Sequence, residues 1–493
     1  MKDALKIHGD DLVAVALHPL PYGDNHLGVT LREDIPEGHK FALCDIAEGT
    51  PVIKYGLPIG FATVHIPAGS WVHTHNVRTG LSEDASYTYS PEITTISPAT
   101  ALEFDGYLRT DGRVGIRNEL WIIPTVGCVN DICRTLEQES AHLAEQYGLD
   151  GVYHFPHPYG CSQLGDDHEA TRTLLSALCR HPNAGGVLVV GLGCENNKID
   201  EFQTLFVPQY AEKLRFMVCQ QEGDEFAVGK AHLESLASYA SQSKRRPQPA
   251  SRLVVGMKCG GSDGLSGITA NPVVGAFSDL LIAMGGTTIL TEVPEMFGAE
   301  ALLFNRCKDT ETFRAALDMV NRFKHYFTSH GQVVYENPSP GNKDGGITTL
   351  EDKSLGCVQK GGFSPVVGVL DYAEPIKEQG LNLLYGPGND LVSATALAAS
   401  GAQMVLFTTG RGTPFGSPVP TVKISTNSKL ATQKPHWIDF NAGTVAEGEG
   451  EGMATVAEQL MELVVNIANG TSRTRSEEHN QRGIAIWKNG ITL

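Results

Sequence analysis

The spacing of apolar and polar positions changes character along the chain and divides it into stretches of different type. In the first stretch apolar runs are short and end at glycine. A small pattern recurs three times, as Asp34-Ile35-Pro36-Glu37-Gly38, Asp45-Ile46-Ala47-Glu48-Gly49 and His65-Ile66-Pro67-Ala68-Gly69. Extended apolar pieces lie between, at Phe41-Ala42-Leu43 and Pro51-Val52-Ile53-Lys54-Tyr55. Short strands punctuated by glycine turns predict a compact β module over residues 1–78. Residues 79–104 are rich in Ser, Thr, Pro and acid, have little periodicity, and read as a linker.

Over 105–240 the pattern alternates between strand and helix. Apolar strands are expected at Leu120–Pro124 and Val187–Val190, with helical periods over Ile132–Gln146 and His168–Arg180. The polar run from Ser241 to Ser251 breaks every period and reads as a boundary. Beyond it, over 252–493, strands are expected at Arg252–Met257, Thr287–Leu290, Val366–Leu370, Leu381–Tyr385 and Gln403–Thr408. A final helix, Met453–Asn469, carries Val456, Leu460, Leu463, Val464 and Ile467 on one face and stops at Gly470. Strands alternating with helices predict mostly parallel sheets, so the chain reads as a multidomain α/β protein. In open α/β sheets ligands bind beyond the carboxyl ends of strands. The glycine-rich loops of the third stretch are therefore where a site is expected.

Composition narrows the function. Hydrophobic residues make up 41% of the 493 and charged residues 19%, a globular balance. A net charge of -18 argues against nucleic acid or an anionic membrane as partner. No apolar run approaches the roughly 20 residues that cross a bilayer, and no signal-like segment follows Met1. Reduced thiols and a cytoplasmic location are expected. Five of the ten cysteines sit against glycine: Cys128, Cys161, Cys194, Cys259 and Cys357. Thiolates on glycine turns are soft metal ligands or nucleophiles.

Four loops carry candidate chemistry: Lys258-Cys259 through Ser262-Asp263 to Gly267; Thr291-Glu292 to Glu300; Asn337 through Asn342, Thr348, Glu351 and Lys353 to Cys357; and Thr408 through Arg411 to Thr413. Together they offer the thiolates, carboxylates, lysines, guanidinium and hydroxyls that a polyhydroxylated acid requires. His73-Thr74-His75 could direct two imidazoles to one ligand or stand as two polar residues at a strand end. His39-Lys40 is similarly open, and Asp166-Asp167-His168 suits the start of a helix. Gly191-Leu192-Gly193 and Gly410-Arg411-Gly412 imitate dinucleotide fingerprints but lack the third glycine. The cysteines contain no Cys-x-x-Cys, so a mononuclear Fe(II) site is preferred to an iron–sulfur cluster, and both to structural zinc.

Several motifs resemble the altronate/galactarate dehydratase family. They include Gly38-His39-Lys40-Phe41-Ala42-Leu43, Asp111 to Leu120, Tyr159-Gly160-Cys161-Ser162, Gly191 to Asn197, Lys258 to Gly267, Pro294 to Glu300 and the 337–357 loop. The likeness covers essentially the whole chain and is closest to the altronate branch, whose His73–Asn76 and Pro340–Lys343 wording it shares. The resemblance implies an amino-terminal SAF-type β-clip, a linker, a middle domain able to serve a homodimer, and a carboxy-terminal Rossmann-like domain holding metal. It also implies Fe(II), with Mn(II) as substitute, and dehydration of D-altronate to 2-dehydro-3-deoxy-D-gluconate.

For that chemistry the loops nominate Cys259, Glu292, Glu351 and Cys357 as metal ligands. Lys258, Lys353, His73 and His75 are the acid–base candidates, the lysines with pKa lowered by burial. Ser262, Asp263, Asn342, Thr348, Arg411 and Thr413 are the substrate contacts. A relative acting on galactarate or a sulfonated hydroxy acid, or a non-catalytic sugar-acid-binding protein, are the rival readings. For a second carboxylate the available cations are Arg78, Arg109 and Arg113.

Overall fold

The computed structural model describes residues 2–81, 87–334, 337–447 and 452–490. Residues 82–86 of the expected linker and the last three of the chain lie outside that description.

The first module is all β. Ala4–Leu5, Val13–Ala16, Lys40–Ala42 and Trp71–Val72 form one antiparallel sheet, and Pro51–Lys54, Leu57–Ala62 and Val77–Arg78 another. Lys54 pairs with Leu57, leaving Tyr55-Gly56 as a two-residue turn with φ of 63° and 72°. Positive φ at both positions is the turn that matches the twist of a hairpin. It projects the Tyr55 ring onto the carboxy-terminal domain. A Cβ on Gly267 would lie 2.4 Å from the Tyr55 hydroxyl, so only glycine admits the ring there. Burial pushes the Tyr55 phenol up to about 12.

The described linker residues 87–102 run irregularly across the carboxy-terminal domain, and the expected linker's last two residues already belong to a strand. Glu92 and Ala99 donate backbone hydrogen bonds to Asn305 and Ala283, and the Tyr89 hydroxyl donates to the Cys307 carbonyl at 2.6 Å. Glu103–Leu108 then pairs antiparallel with Arg246–Pro249, inside the stretch read as a boundary. That strand was illegible because two of its four residues are proline, which a sheet tolerates only at an edge.

The middle domain is a four-stranded parallel sheet in the order Gly151–His154, Glu119–Pro124, Ala184–Gly191, Leu214–Val218. The two strands read from apolar runs are its centre. The outer two are less apolar and escaped notice.

The carboxy-terminal domain holds a seven-stranded, all-parallel sheet. Its order is Val366–Leu370, Leu381–Leu384, Thr287–Leu290, Val254–Cys259, Met404–Thr409, Thr421–Ser425, Phe440–Asn441. The five expected strands are present, and two were not foreseen: Thr421–Ser425, paired on both sides, and the edge strand Phe440–Asn441. The first strand in sequence, Val254–Cys259, lies between the second and the fifth. The winding reverses there, which opens a crevice at the strands' carboxyl ends. The helix Met453–Ala468 packs Val456, Leu460, Val464 and Ile467 into the same core. Among the described residues no helix is long and apolar enough to cross a membrane.

One buried charge triad joins the first module to this domain. Asp352 accepts from Lys40 Nζ and Lys54 Nζ, both at 2.9 Å, with all three side chains at most 2% exposed. The two ammonium groups hold the Asp352 carboxyl well below the usual range, against its burial. Asp352→Asn leaves two lysines buried with reduced compensation and should destabilise the protein by about 3–5 kcal/mol in denaturant unfolding at neutral pH. Because the folded-state pKa is depressed, the stabilisation is complete above the unfolded value of 3.8 and fades as pH falls below it. The gap between wild type and Asp352→Asn should therefore narrow on titration from pH about 5 to about 3.

Candidate active site

Three segments bring chemistry to the crevice. The central strand ends in Lys258-Cys259, followed by Gly260-Gly261. The neighbouring strand Thr287–Leu290 leads into Glu292, whose φ of 71° places a non-glycine residue in the left-handed region. Such strain persists where surroundings over-determine it, and here it turns the Glu292 carboxylate back to the Cys259 amide, at 3.0 Å. A short helical turn carries Glu295. The third segment is the helix Leu350–Cys357, capped by the Thr349 side chain and buried along its whole length, with Lys360 on the turn that follows.

At the centre, the Cys259 and Cys357 Sγ atoms lie 3.4 Å apart, and each is within hydrogen-bond reach of Glu295 Oε2, at 3.1 and 3.2 Å. Among the described residues these three groups are drawn together closely enough to hold a metal ion. Lysines surround them. Lys360 Nζ reaches Cys259 Sγ at 2.9 Å, and Lys353 Nζ reaches Glu295 Oε1 at 2.8 Å. Lys258 Nζ bridges Glu292 Oε1 at 2.6 Å and Asp390 Oδ1 at 2.9 Å. The Lys353, Lys360 and Lys258 ammoniums hold Glu295 at about 2 despite its burial.

Lys258 and Lys353 both titrate above the usual lysine range, not below it as burial alone would give. The reason is that each has a carboxylate within 3 Å, and that attraction outweighs desolvation. The Cys357 thiol is pushed well up by its hydrogen bond with Cys259 and by burial.

The donor set suits a divalent metal. Two sulfurs and one carboxylate oxygen converge while the three lysines are matched by Glu292, Glu295 and Asp390, so thiolates formed on metal binding would have no lysine left to balance them. A dication would offset two thiolates, and sulfur donors favour a borderline metal over magnesium or calcium. Three protein ligands leave coordination open for substrate.

The other expected residues are distributed as follows. Lys353, Ser262, Asn342 and Arg411 line, with Glu295 and Asp390, a cavity of about 500 Å³ open to solvent. Asn342 ties two loops together, donating to the Ser262 carbonyl at 2.9 Å while its Oδ1 accepts from Lys353 at 3.2 Å. Arg411 donates to the Gly341 carbonyl at 2.7 Å and is otherwise exposed. Glu292 serves Lys258 and the Cys259 amide, and is absent from the three-ligand group. Glu351 faces away, accepting from Thr79 Oγ1 at 3.0 Å and the Gly80 amide at 2.7 Å. Asp263 is half-buried and bonded to Ser266, Thr426 and the Leu265 amide, a brace for its own loop. Thr348 meets His73 Nδ1 at 3.2 Å. His73 stacks on Trp71, and burial lowers it to about 3. His75 lies against the same tryptophan. Both imidazoles thus sit in the seam between modules, outside the cavity lining, as does His39, which meets the Asp344 carbonyl at 3.1 Å. Thr413 is half-buried and also outside the lining.

Glu295, Lys360 and Asp390 were not singled out in the sequence. Glu295 and Lys360 each lie three residues beyond a chosen residue, Glu292 and Cys357, and a turn of helix brings them inward. Asp390 opens a helix more than a hundred residues away from Lys258, and only the sheet order brings it near.

A parallel-sheet domain with a thiol–carboxylate–lysine crevice, covered by a β module, defines a class of small-molecule enzyme scaffold. The chain belongs to the altronate/galactarate dehydratase family. Residues 2–80 match the altronate/galactarate dehydratase SAF domain, 106–241 the D-galactarate dehydratase/altronate hydrolase second domain, and 250–492 the D-galactarate/altronate dehydratase C-terminal domain. The chain is 55% identical to altronate dehydratase of Escherichia coli (strain K12) over 99% of both chains. It is 48% identical to altronate dehydratase of Bacillus subtilis (strain 168) over the full length of both. Galactarate dehydratase (L-threo-forming) of Escherichia coli (strain K12) is 34% identical over 97% of this chain and 96% of that protein.

Replacing Glu295 with Gln should weaken divalent-metal binding by more than the roughly 10–100-fold expected for an outer-shell change. Glu351→Gln should leave it within a few-fold. Equilibrium dialysis of both variants with Fe(II) or Mn(II) under anaerobic conditions separates the two carboxylates.

Proposed function

We propose that this chain is a hydro-lyase that dehydrates D-altronate to 2-dehydro-3-deoxy-D-gluconate. The observation that carries the reading is identity of 55% and 48% over essentially full length with two altronate dehydratases. The cavity supports it independently, because its lining has the groups such a reaction needs.

An aldonate is an anion, and the chain carries a net charge of -18. Local cations must therefore override the global field, and Arg411 and Lys353 are the cations of the cavity lining. We assign the substrate carboxylate to Arg411, and its hydroxyls to Ser262 and Asn342. Lys353, kept protonated by Glu295, is placed to donate to the C3 hydroxyl as it leaves as water. Asp390, fixed by Lys258, is the carboxylate assigned to accept the C2 proton. The C2–H electron pair becomes the new C2–C3 double bond, and the enol then ketonises. Fe(II), with Mn(II) as substitute, is the metal we assign to Cys259, Glu295 and Cys357, where it would supply electrophilic stabilisation of charge developing next to the substrate carboxylate. Reduced, unbonded thiols agree with a cytoplasmic setting. A homodimer through the middle domain belongs to the same reading and rests on the family likeness.

Galactarate is the second reading, since one relative of 34% identity carries that activity. A dicarboxylate calls for a second cation in the cavity. Arg109 is spent on the Pro182 and Arg117 carbonyls and Asn118, Arg113 on Asp111, and Arg78 lies over the Phe61 ring. None of them lines the cavity. That disfavours galactarate.

With anaerobic Fe(II) and thiol, D-altronate should yield 2-keto acid and galactarate little or none. Keto acid from galactarate alone would sink the altronate assignment. Lys353→Met should lower kcat by about 10²–10⁴-fold, the range for a lost general acid, with metal content retained. Unchanged kcat would remove Lys353 from proton transfer.

A further inference from the structure

The middle domain carries a second group of thiols that the reaction above does not use. Of the four exposed cysteines in the chain, three belong to this domain: Cys128, Cys161 and Cys194. Each lies in a loop at the carboxyl edge of the parallel sheet. Cys128 follows Glu119–Pro124, Cys161 lies between Gly151–His154 and the helix Gly165–Arg180, and Cys194 follows Ala184–Gly191.

These loops are sewn together. Pro124 is paired with Val190, and Cys128 and Cys194 each lie four residues beyond that pair. The Cys161 loop is wedged against both neighbours. The Gly127 amide donates to the Tyr159 carbonyl at 2.8 Å, and the Asn197 amide donates to the Gly160 carbonyl at 3.1 Å. The Ser162 amide donates to Asn196 Oδ1 at 2.8 Å. A Cβ on Gly160 would lie 2.0 Å from the Thr125 carbonyl oxygen, so glycine is required for this approach. Glu195 is buried and accepts from Thr125 Oγ1 and from the Leu192 and Gly193 amides, which braces the Cys194 turn. The loops thus invest buried polar groups and glycines in holding three exposed thiols on one edge of the sheet.

We propose that Cys128, Cys161 and Cys194 form a second metal centre that holds an iron–sulfur cluster of the [4Fe–4S] type. Cysteine thiolates are the ligands of such clusters. A single zinc ion would need thiolates roughly 3.8 Å apart, from Zn–S bonds of about 2.3 Å in a tetrahedron. Among the described residues the group drawn that closely is Cys259, Glu295 and Cys357, and the three middle-domain thiols do not meet that spacing. Thiols gathered on one edge but spread wider suit a polynuclear ligand. With three cysteines, one iron of the cluster is left without a cysteine ligand.

The test uses the full-length chain, purified anaerobically and incubated with Fe(II), an equal amount of Fe(III) and inorganic sulfide, then desalted. About four acid-labile sulfides per chain are expected, with the broad visible absorption of sulfide-to-iron charge transfer. Cys128→Ser, Cys161→Ser and Cys194→Ser should each lose most of that sulfide, and Cys259→Ala should keep it. In a second measurement on the wild-type chain alone, peptide mapping after alkylation should find the three thiols labelled in the untreated protein and protected after reconstitution. Circular dichroism of the apo variants separates loss of fold from loss of ligand. Iron bound without sulfide, zinc retained in its place, sulfide kept by all three serine variants, or thiols equally alkylated before and after reconstitution would each overturn the proposal.

Discussion

Asp352 sits between Lys40 and Lys54 with no access to water, and the placement of the active site follows from that arrangement. Burying one unpaired charge is prohibitive, so the first module cannot withdraw without exposing or stranding three. The aspartate belongs to the helix Leu350–Cys357, whose neighbouring side chains point to different bodies. Glu351 faces the start of the linker, Asp352 the β module, and Lys353 the cavity, while Cys357 faces the second thiol. Eight residues therefore tie the β module and the start of the linker to the crevice. The Tyr55 turn, pressed against Gly267 and Gly356, adds shape to the same joint.

The crevice itself is an electrostatic problem solved locally. A chain of net charge -18 presents a cavity whose charged lining includes Arg411 and Lys353, and whose deeper layer alternates lysines with acids. Each lysine has a carboxylate or thiol within about 3 Å, so burial does not discharge it. The arrangement keeps ammonium groups as proton donors where desolvation alone would have made them neutral. The strained backbone at Glu292 belongs to this layer, because it directs a carboxylate to Lys258 and to the Cys259 amide.

The two parallel sheets handle their thiols differently. In the carboxy-terminal domain, Cys259 and Cys357 are buried beside a carboxylate and lysines. In the middle domain, Cys128, Cys161 and Cys194 stand beside glycines at the rim, exposed. A glycine beside a cysteine is thus compatible with two environments, and the difference lies in what packs over the loop.

Strands with continuous apolar runs, the amphipathic last helix and the glycine-punctuated β module were legible in the sequence, because burial imposes a period on every residue that takes part. Lys258, Cys259, Lys353, Cys357 and Arg411 stood out by residue type, but of the five only Arg411 lies in a loop: Lys258 and Cys259 end a strand, and Lys353 and Cys357 sit on a helix inside the stretch read as a loop. Weakly apolar strands such as Gly151–His154 and the proline-bearing Arg246–Pro249 were not, because edge positions demand less burial. Only the tertiary structure decided which carboxylate meets the thiols. Glu292, Glu295 and Glu351 are alike in the sequence, and a left-handed residue, a helical turn and a linker contact send them to three different partners. It likewise decided that His73 and His75 belong to a seam and that Lys258 and Lys353 stay charged. Direction and pairing of side chains arise from segments far apart in the chain, and no local pattern encodes them.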